Sequence, residues 1–202
     1  MINLTSSMKA LLKLSLAALL VVPLAASSAD APKTSVTPLV PGQAAPDFKI
    51  KDSTGREIVL SELTAKGPVL VRLTCGCLGC DQELPYFQEL HRAYEAQGLT
   101  SLAIFKAPDA KVEEYVREKK LKMLYAVDAK GDSWNVFHTK TMPTNILIEK
   151  GGKISAITAG CDPSGLVAQR LSDKAATLTS SPSANVKAKV DSARVVSTEA
   201  RK

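Results

Sequence analysis

The chain has 202 residues, of which 45% are hydrophobic, 23% are charged and only 4% are aromatic. This length and balance fit one folded domain with polar ends, and they exclude a multidomain enzyme and a fibrous protein. The net charge is +6, but two of the basic residues, Lys9 and Lys13, lie in a segment that we expect to be removed. The remaining positive charge is too small for a nucleic-acid-binding surface, so no nucleic-acid partner is expected.

Residues 1–29 have the features of a signal peptide. Lys9 and Lys13 stand at the start of an apolar run at 11–24, and the small residues that follow predict cleavage after Ala29. The run is shorter than the roughly 20 residues that cross a bilayer, so membrane contact is expected only if this segment stays uncleaved. The sequence therefore predicts export to the periplasm or another extracytoplasmic space, where disulfides can persist.

The remaining chain divides into three parts by composition. Residues 30–45 are rich in proline and small residues, which is typical of a linker. Residues 46–178 carry the periodic apolar patterns of a folded domain. Residues 179–202 are rich in Ser, Ala and Lys, and this composition predicts a disordered, mildly basic tail.

The folded domain shows strand and helix patterns that alternate along the chain. In order, they predict a hairpin of strands at 48–50 and 57–60, a buried strand at 68–73, a helix ending at Gly98, a strand at 99–105, a helix capped by Asp109, a strand at 123–127, a helical turn at 134–137, a hairpin of strands at 144–148 and 154–159, and a last helix after Pro163. Parallel strands joined by helices, followed by an antiparallel hairpin, predict an α/β fold.

Three of the four cysteines lie within six positions, at Cys75, Cys77 and Cys80. Cys77 and Cys80 form a C-x-x-C pair between the buried strand and the helix that follows. A thiol at a helix N-terminus loses its proton readily, because the helix dipole and free N–H groups stabilise the thiolate. Cys77 is therefore the candidate nucleophile, and Cys80, one turn later, can attack a mixed disulfide and release the partner. Buried structural or zinc-binding thiols are the alternative.

These features resemble the thioredoxin superfamily, and most closely its exported TlpA/ResA-like thiol-disulfide oxidoreductases, which are related to the AhpC/TSA proteins. The resemblance covers about residues 41–176. It implies a thioredoxin-like fold, with a central mixed β-sheet flanked by helices and an N-terminal β-hairpin. It rests on three segments in order: PGQAAPDF at 41–48, VLVRLTCGCLGCDQELP at 69–85 and MPTNILIEKGGKI at 142–154.

The resemblance assigns roles to five residues. Cys77 attacks, Cys80 resolves, Pro143 is a cis-proline beside the disulfide, and the backbone of Met142 pairs with an extended partner peptide. Glu83 matches a family glutamate that adjusts the thiol pKa or carries a proton, or else it is an exposed charge in the first helical turn. The implied partners are protein dithiols or disulfides and an electron donor or acceptor protein. No cofactor and no metal are implied.

The chain departs from the family pattern at several positions. Gly76 replaces the usual tryptophan before the first cysteine, which predicts a more open site. Gly76 is also expected to contact the substrate. Cys75 and Cys161 are additional. Cys161 follows the last strand and is expected at the same sheet edge as Cys77. There, Cys75 and Cys161 relay a disulfide, bind Zn or Cu(I), pair with each other or stay idle. His138 is the candidate nitrogen ligand for such a metal.

The sequence is also compatible with two other functions. The first is a Cu(I) or Zn chaperone on a thioredoxin fold, similar to the Sco-type copper chaperones. The second is a thiol peroxidase of the AhpC/TSA type, because Thr74 and Cys77 satisfy T-x-x-C. Peroxidases need an arginine beside the thiolate, and Arg72 lies inside the strand pattern.

Overall fold

The computed structural model describes residues 38–199. The expected signal peptide, its cleavage site and the first part of the expected linker lie outside the described residues. No helix within 38–199 is both long enough and apolar enough to cross a membrane.

A five-stranded mixed sheet forms the centre of the fold. Its strand order is β5-β4-β3-β6-β7, with β3, β4 and β5 parallel and with β6 and β7 antiparallel to their neighbours. A separate hairpin, β1 and β2, precedes it. The elements are β1 (Lys49–Lys51), β2 (Glu57–Val59), α1 (Leu60–Lys66), β3 (Val69–Thr74), α2 (Leu78–Tyr94), β4 (Thr100–Phe105), α3 (Asp109–Glu118), β5 (Leu124–Val127), α4 (Asp132–Val136), β6 (Thr144–Ile148), β7 (Ile154–Ala159), α5 (Leu166–Leu178) and α6 (Val186–Glu199). The predicted fold class is confirmed.

Strand β3 is buried along its whole length because helices cover both faces of the sheet. Leu70 packs into the apolar core that α2, α5 and α6 share. Val69 and Val71 pack into a second core on the opposite face, together with residues of α1 and α4. This central position fixes where β3 ends, and therefore where the cysteine loop begins.

Helix α2 begins directly after the cysteine loop and runs for 17 residues. A single 3₁₀ turn at Glu95–Gln97 continues it. Gly98 then stops the helix with a φ of +94°, in the left-handed region that glycine enters without steric cost. The predicted end of this helix is confirmed.

The end of the expected linker is not loose. The N–H of Gly42 donates to the carbonyl of Ile154, and that of Ala45 donates to the carbonyl of Gly152, both at 2.8 Å. Residues 42–45 therefore run along the start of β7 and satisfy its backbone groups. Because these bonds involve the backbone, the proline-rich composition did not indicate them.

The expected disordered tail is wrong over much of its length, because residues 186–199 form α6. Val186 and Val190, one helical turn apart, are buried against the core. Tyr86 of α2 donates its hydroxyl hydrogen to Asp191 at 2.6 Å, and Arg194 donates to the Tyr86 oxygen at 2.8 Å. The folded domain thus extends beyond 178 and includes a helix packed on α2.

The sequence pattern did not predict α1. It predicted that the strand at 57–60 includes Leu60, which is the first residue of the helix. Asp47, fourteen positions upstream, accepts hydrogen bonds from both the N–H and the hydroxyl of Ser61 at 2.8 and 2.6 Å. This carboxylate satisfies free donors of the first helical turn. Such a distant cap leaves no signal in the local sequence.

Candidate active site

The cysteine loop joins the buried end of β3 to the N-terminus of α2. Gly76 has a φ of +64°, which allows the chain to turn between Thr74 and the helix. Cys77 is the N-cap residue of α2 and its side chain is exposed, whereas Cys80 is only 1% exposed. Cys75 is half-buried. Of these three thiols, that of Cys77 is therefore the most open to a macromolecular partner.

The three thiols form a compact triangle. The Sγ atom of Cys80 lies 3.6 Å from that of Cys77 and 3.6 Å from that of Cys75. All three sulfur atoms lie within 4.8 Å of one another. The structure holds them as free thiols. A disulfide requires about 2.05 Å between sulfurs, so a modest side-chain movement would bring Cys80 within bonding distance of Cys77 or of Cys75 when an oxidised partner accepts the two electrons.

Hydrogen bonds and burial separate the pKa values of Cys77 and Cys75. The Cys75 thiol, followed by the backbone N–H of Cys80, lowers the pKa of Cys77 below its ordinary value. Burial, followed by the interaction with Cys77, raises the pKa of Cys75 to about 12. Cys77 is thus the thiol that ionises readily, and Cys75 stays protonated beside it. Because the thiolate is the reactive form, the site favours Cys77 as the nucleophile.

Cys161 lies beside the first turn of α2 but outside this triangle. Its thiol donates to the carbonyl of Gly79 at 2.7 Å. Burial, with a smaller contribution from the charge of Glu83, raises the pKa of Cys161. The sequence predicted that all four cysteines lie at one sheet edge. In the structure, three of them cluster and the fourth contacts the same helix turn.

Pro143 lies at the same edge of the sheet. Strand β6 pairs with β3 so that Thr144 is opposite Leu73, which places Pro143 next to the end of β3, where the cysteine loop starts. The Met142–Pro143 peptide bond is cis, as the resemblance implied. The side chain of Met142 is 39% exposed.

Glu83 is not an exposed charge, because it is 1% exposed and forms a buried ion pair with Arg72. The Nη1 atom of Arg72 lies 2.6 Å from Glu83 Oε1 and donates to Asn145 Oδ1 at 2.8 Å. Its Nη2 donates to the carbonyl of Cys80 at 3.2 Å. The guanidinium thus supports the turn of α2 that carries Cys80.

This network also reaches the loop of Cys161. Glu83 Oε2 accepts the N–H of Asp162 at 2.8 Å, and the guanidinium of Arg72 stacks 4.3 Å from the centre of the Phe87 ring. The sequence pattern identified Arg72 only as a strand residue. A charged side chain in a run of buried apolar residues was the signal that could have identified it, because such a charge must be paired.

The space beside Gly76 is bounded by two aromatic rings. A Cβ at this position would lie 3.5 Å from the ring of Tyr115 and 3.6 Å from that of Phe105. The Tyr115 hydroxyl donates to Asp81 in the first turn of α2 at 3.1 Å. The rings of Tyr115 and Phe105 therefore close the site on the side of α3. The replacement of tryptophan by Gly76 had predicted a more open site.

His138 is exposed, and its φ is +47°. Within residues 38–199, the potential metal-binding group at this site contains the three clustered cysteines and no histidine. The expectation of a nitrogen ligand from His138 therefore receives no support from the geometry.

A C-x-x-C pair at the N-terminus of the helix after the central strand, on a sheet of this order, defines a thioredoxin-fold thiol-disulfide oxidoreductase. The model of the AhpC/TSA family matches residues 41–157, and the chain belongs to this family. It is 33% identical over 128 residues to the thiol-disulfide oxidoreductase ResA of Geobacillus thermodenitrificans, a match that spans 63% of this chain and 74% of that relative.

Solved structures share the fold. A Chlorobium tepidum protein provisionally named thiol:disulfide interchange protein DsbE matches with a TM-score of 0.64 and 24% identity, over 70% of this chain and 99% of its own. Peroxidoxin BcpB from Mycobacterium tuberculosis matches with a TM-score of 0.56 and 20% identity, over 69% of this chain and 96% of its own. At these identities the two likenesses show the fold alone.

Proposed function

We propose that this oxidoreductase is exported and exchanges disulfides with protein partners through Cys77 and Cys80. The observation that carries the proposal is the pairing of an exposed thiol at a helix N-cap with a buried thiol 3.6 Å away. The kinship with ResA-type enzymes supports protein thiols as the substrate class. The signal-like residues 1–29 support export.

The exchange proceeds in two displacements. The Cys77 thiolate attacks one sulfur of a partner disulfide, so that a mixed disulfide forms and the other partner sulfur leaves as a thiolate. Cys80 then gives up its proton and attacks the Cys77 sulfur, which releases the second partner thiolate and leaves a Cys77–Cys80 disulfide. Two electrons pass to the partner, and the reverse sequence oxidises a partner dithiol.

The neighbouring residues have supporting roles in this proposal. Met142 and Gly76 flank the cysteines and offer backbone groups to an extended partner segment, while Pro143 lies against the disulfide. Glu83 acts with Arg72 to hold the turn that carries Cys80. Because Arg72 is engaged by Glu83, Asn145 and the Cys80 carbonyl, it is not available as the arginine that peroxide chemistry requires.

Trapping of covalent partners tests the assignment. In the exported protein, Cys80→Ser should accumulate mixed disulfides at Cys77, because the resolving thiol is gone. Cys77→Ser should accumulate none, and Cys161→Ser, which alters a thiol outside the triangle, serves as the matched control. The complexes are counted by non-reducing electrophoresis and mass spectrometry. Equal trapping by the Cys80→Ser and Cys77→Ser variants would overturn the assigned roles.

A further inference from the structure

The arrangement of the three clustered thiols is suited to a second use. The sulfur of Cys80 lies 3.6 Å from those of Cys75 and Cys77, and no pair in the triangle exceeds 4.8 Å. Metal–thiolate bonds of about 2.3 Å place sulfur ligands about 3.8 Å apart in a tetrahedral site and about 4.0 Å apart in a trigonal one. The thiols are therefore close to metal-binding distances before any ion binds.

The same triangle is poorly shaped for passing a disulfide from Cys77 to Cys75. With two sides of 3.6 Å and a third of at most 4.8 Å, the angle at the Cys80 sulfur is below about 90°. A thiolate that attacks a disulfide enters along the axis of the breaking bond, opposite the leaving sulfur. Cys75 and Cys77 instead lie on the same side of Cys80, so the triangle favours convergence on a shared ion.

The donor set indicates which ion fits. Among the residues that the structure describes, the group offers three sulfur ligands and no carboxylate or histidine ligand. Such a set selects thiophilic ions such as Cu(I) and Zn(II). Structural zinc requires four ligands, and the thiol of Cys161 is bonded to the Gly79 carbonyl outside the triangle. Cu(I) is satisfied by three thiolates. We propose that the reduced protein binds one Cu(I) ion through Cys75, Cys77 and Cys80.

Such binding would be linked to the redox state of the site. Cu(I) replaces the thiol protons, so its affinity should fall as the pH falls. A Cys77–Cys80 disulfide removes two of the three ligands, so oxidation by a partner disulfide releases the ion as Cu(I), and both electrons go to the partner. Bound Cu(I) in turn stabilises the dithiol form. This link rests on the proposed exchange function, whereas the binding itself does not.

The test is an anaerobic titration of the full-length reduced protein with Cu(I) against a competing chelator. We expect one ion per chain and three sulfur ligands by X-ray absorption. Cys75→Ser should bind at least about 100-fold more weakly, with two sulfur ligands, because a direct ligand is lost. Cys161→Ser should match the unchanged protein in affinity and ligand number.

Two results would overturn the site: equal affinity in Cys75→Ser and the unchanged protein, or only two sulfur ligands in the unchanged protein. Either would show that the C-x-x-C pair binds Cu(I) without Cys75. Partner trapping by Cys80→Ser is measured on protein freed of metal by a chelator. Failure of the copper site is therefore distinguishable from failure of the exchange function.

Discussion

Among single residues, Cys77 and Cys161 allow a direct comparison, because both are exposed but their environments differ. Hydrogen bonds from Cys75 and from the Cys80 backbone lower the pKa of Cys77, whereas burial raises that of Cys161. A thiol with the lower pKa forms its reactive thiolate at lower pH. In reduced, metal-free protein, alkylation of Cys77 should therefore reach half its maximal rate at lower pH than alkylation of Cys161.

Mass spectrometry after brief alkylation over a pH series measures both rates in one sample, because Cys161 lies in a separate tryptic peptide and fragment ions distinguish Cys77 from Cys75 and Cys80. Removing the hydrogen-bond donor with Cys75→Ala should move the Cys77 profile towards higher pH and leave the Cys161 profile in place. Coincident profiles in the unchanged protein would show that the helix N-terminus and its neighbours do not activate Cys77.

At the scale of elements, α6 is attached to the helix that carries the active-site cysteines. Val190 of α6 is 8% exposed, whereas Val195 of the same helix is 57% exposed. Val190→Asp would bury an unpaired carboxylate and should lower the free energy of unfolding by about 2 kcal/mol or more. Val195→Asp introduces the same charge into water, so its effect should stay within about 0.5 kcal/mol.

Chemical denaturation of the reduced proteins measures both values under one set of conditions. Because the Asp191–Tyr86–Arg194 contacts join α6 to α2, we also expect local opening of α6 to be coupled to loss of packing around Tyr86. Equal stability of the two variants would mean that α6 does not pack on α2 in solution.

For the whole molecule, local patterns predicted the sheet, its order of elements and the cysteine pair. Apolar strands, the C-x-x-C spacing and the stop at Gly98 are signals carried by neighbouring residues. The missed features depend on residues far apart in the sequence. Arg72 of β3 forms an ion pair with Glu83 of α2, and Asp47 caps α1 from fourteen positions before Ser61.

Helix α6 was missed for a different reason. The composition of its segment, rich in Ser, Ala and Lys, is typical of a disordered tail. The spacing of Val186 and Val190, one turn apart, is the helical signal, but it becomes decisive only because the surface of α2 is there to cover both side chains. The triangle of thiols was likewise set by the turn at Gly76, where a positive φ brings Cys75 back towards Cys80.

The proposed exchange mechanism depends most directly on which two thiols form the disulfide. Metal-free protein is oxidised with one equivalent of glutathione disulfide, and the thiols that stay free are labelled with a light reagent. The disulfide is then reduced, and the thiols that it releases are labelled with a heavy reagent. Fragment-ion mass spectrometry then assigns each cysteine. We predict heavy label on Cys77 and Cys80 together, and light label on Cys75 and Cys161. Light label on Cys77, with heavy label on any other pair, would contradict the exchange mechanism.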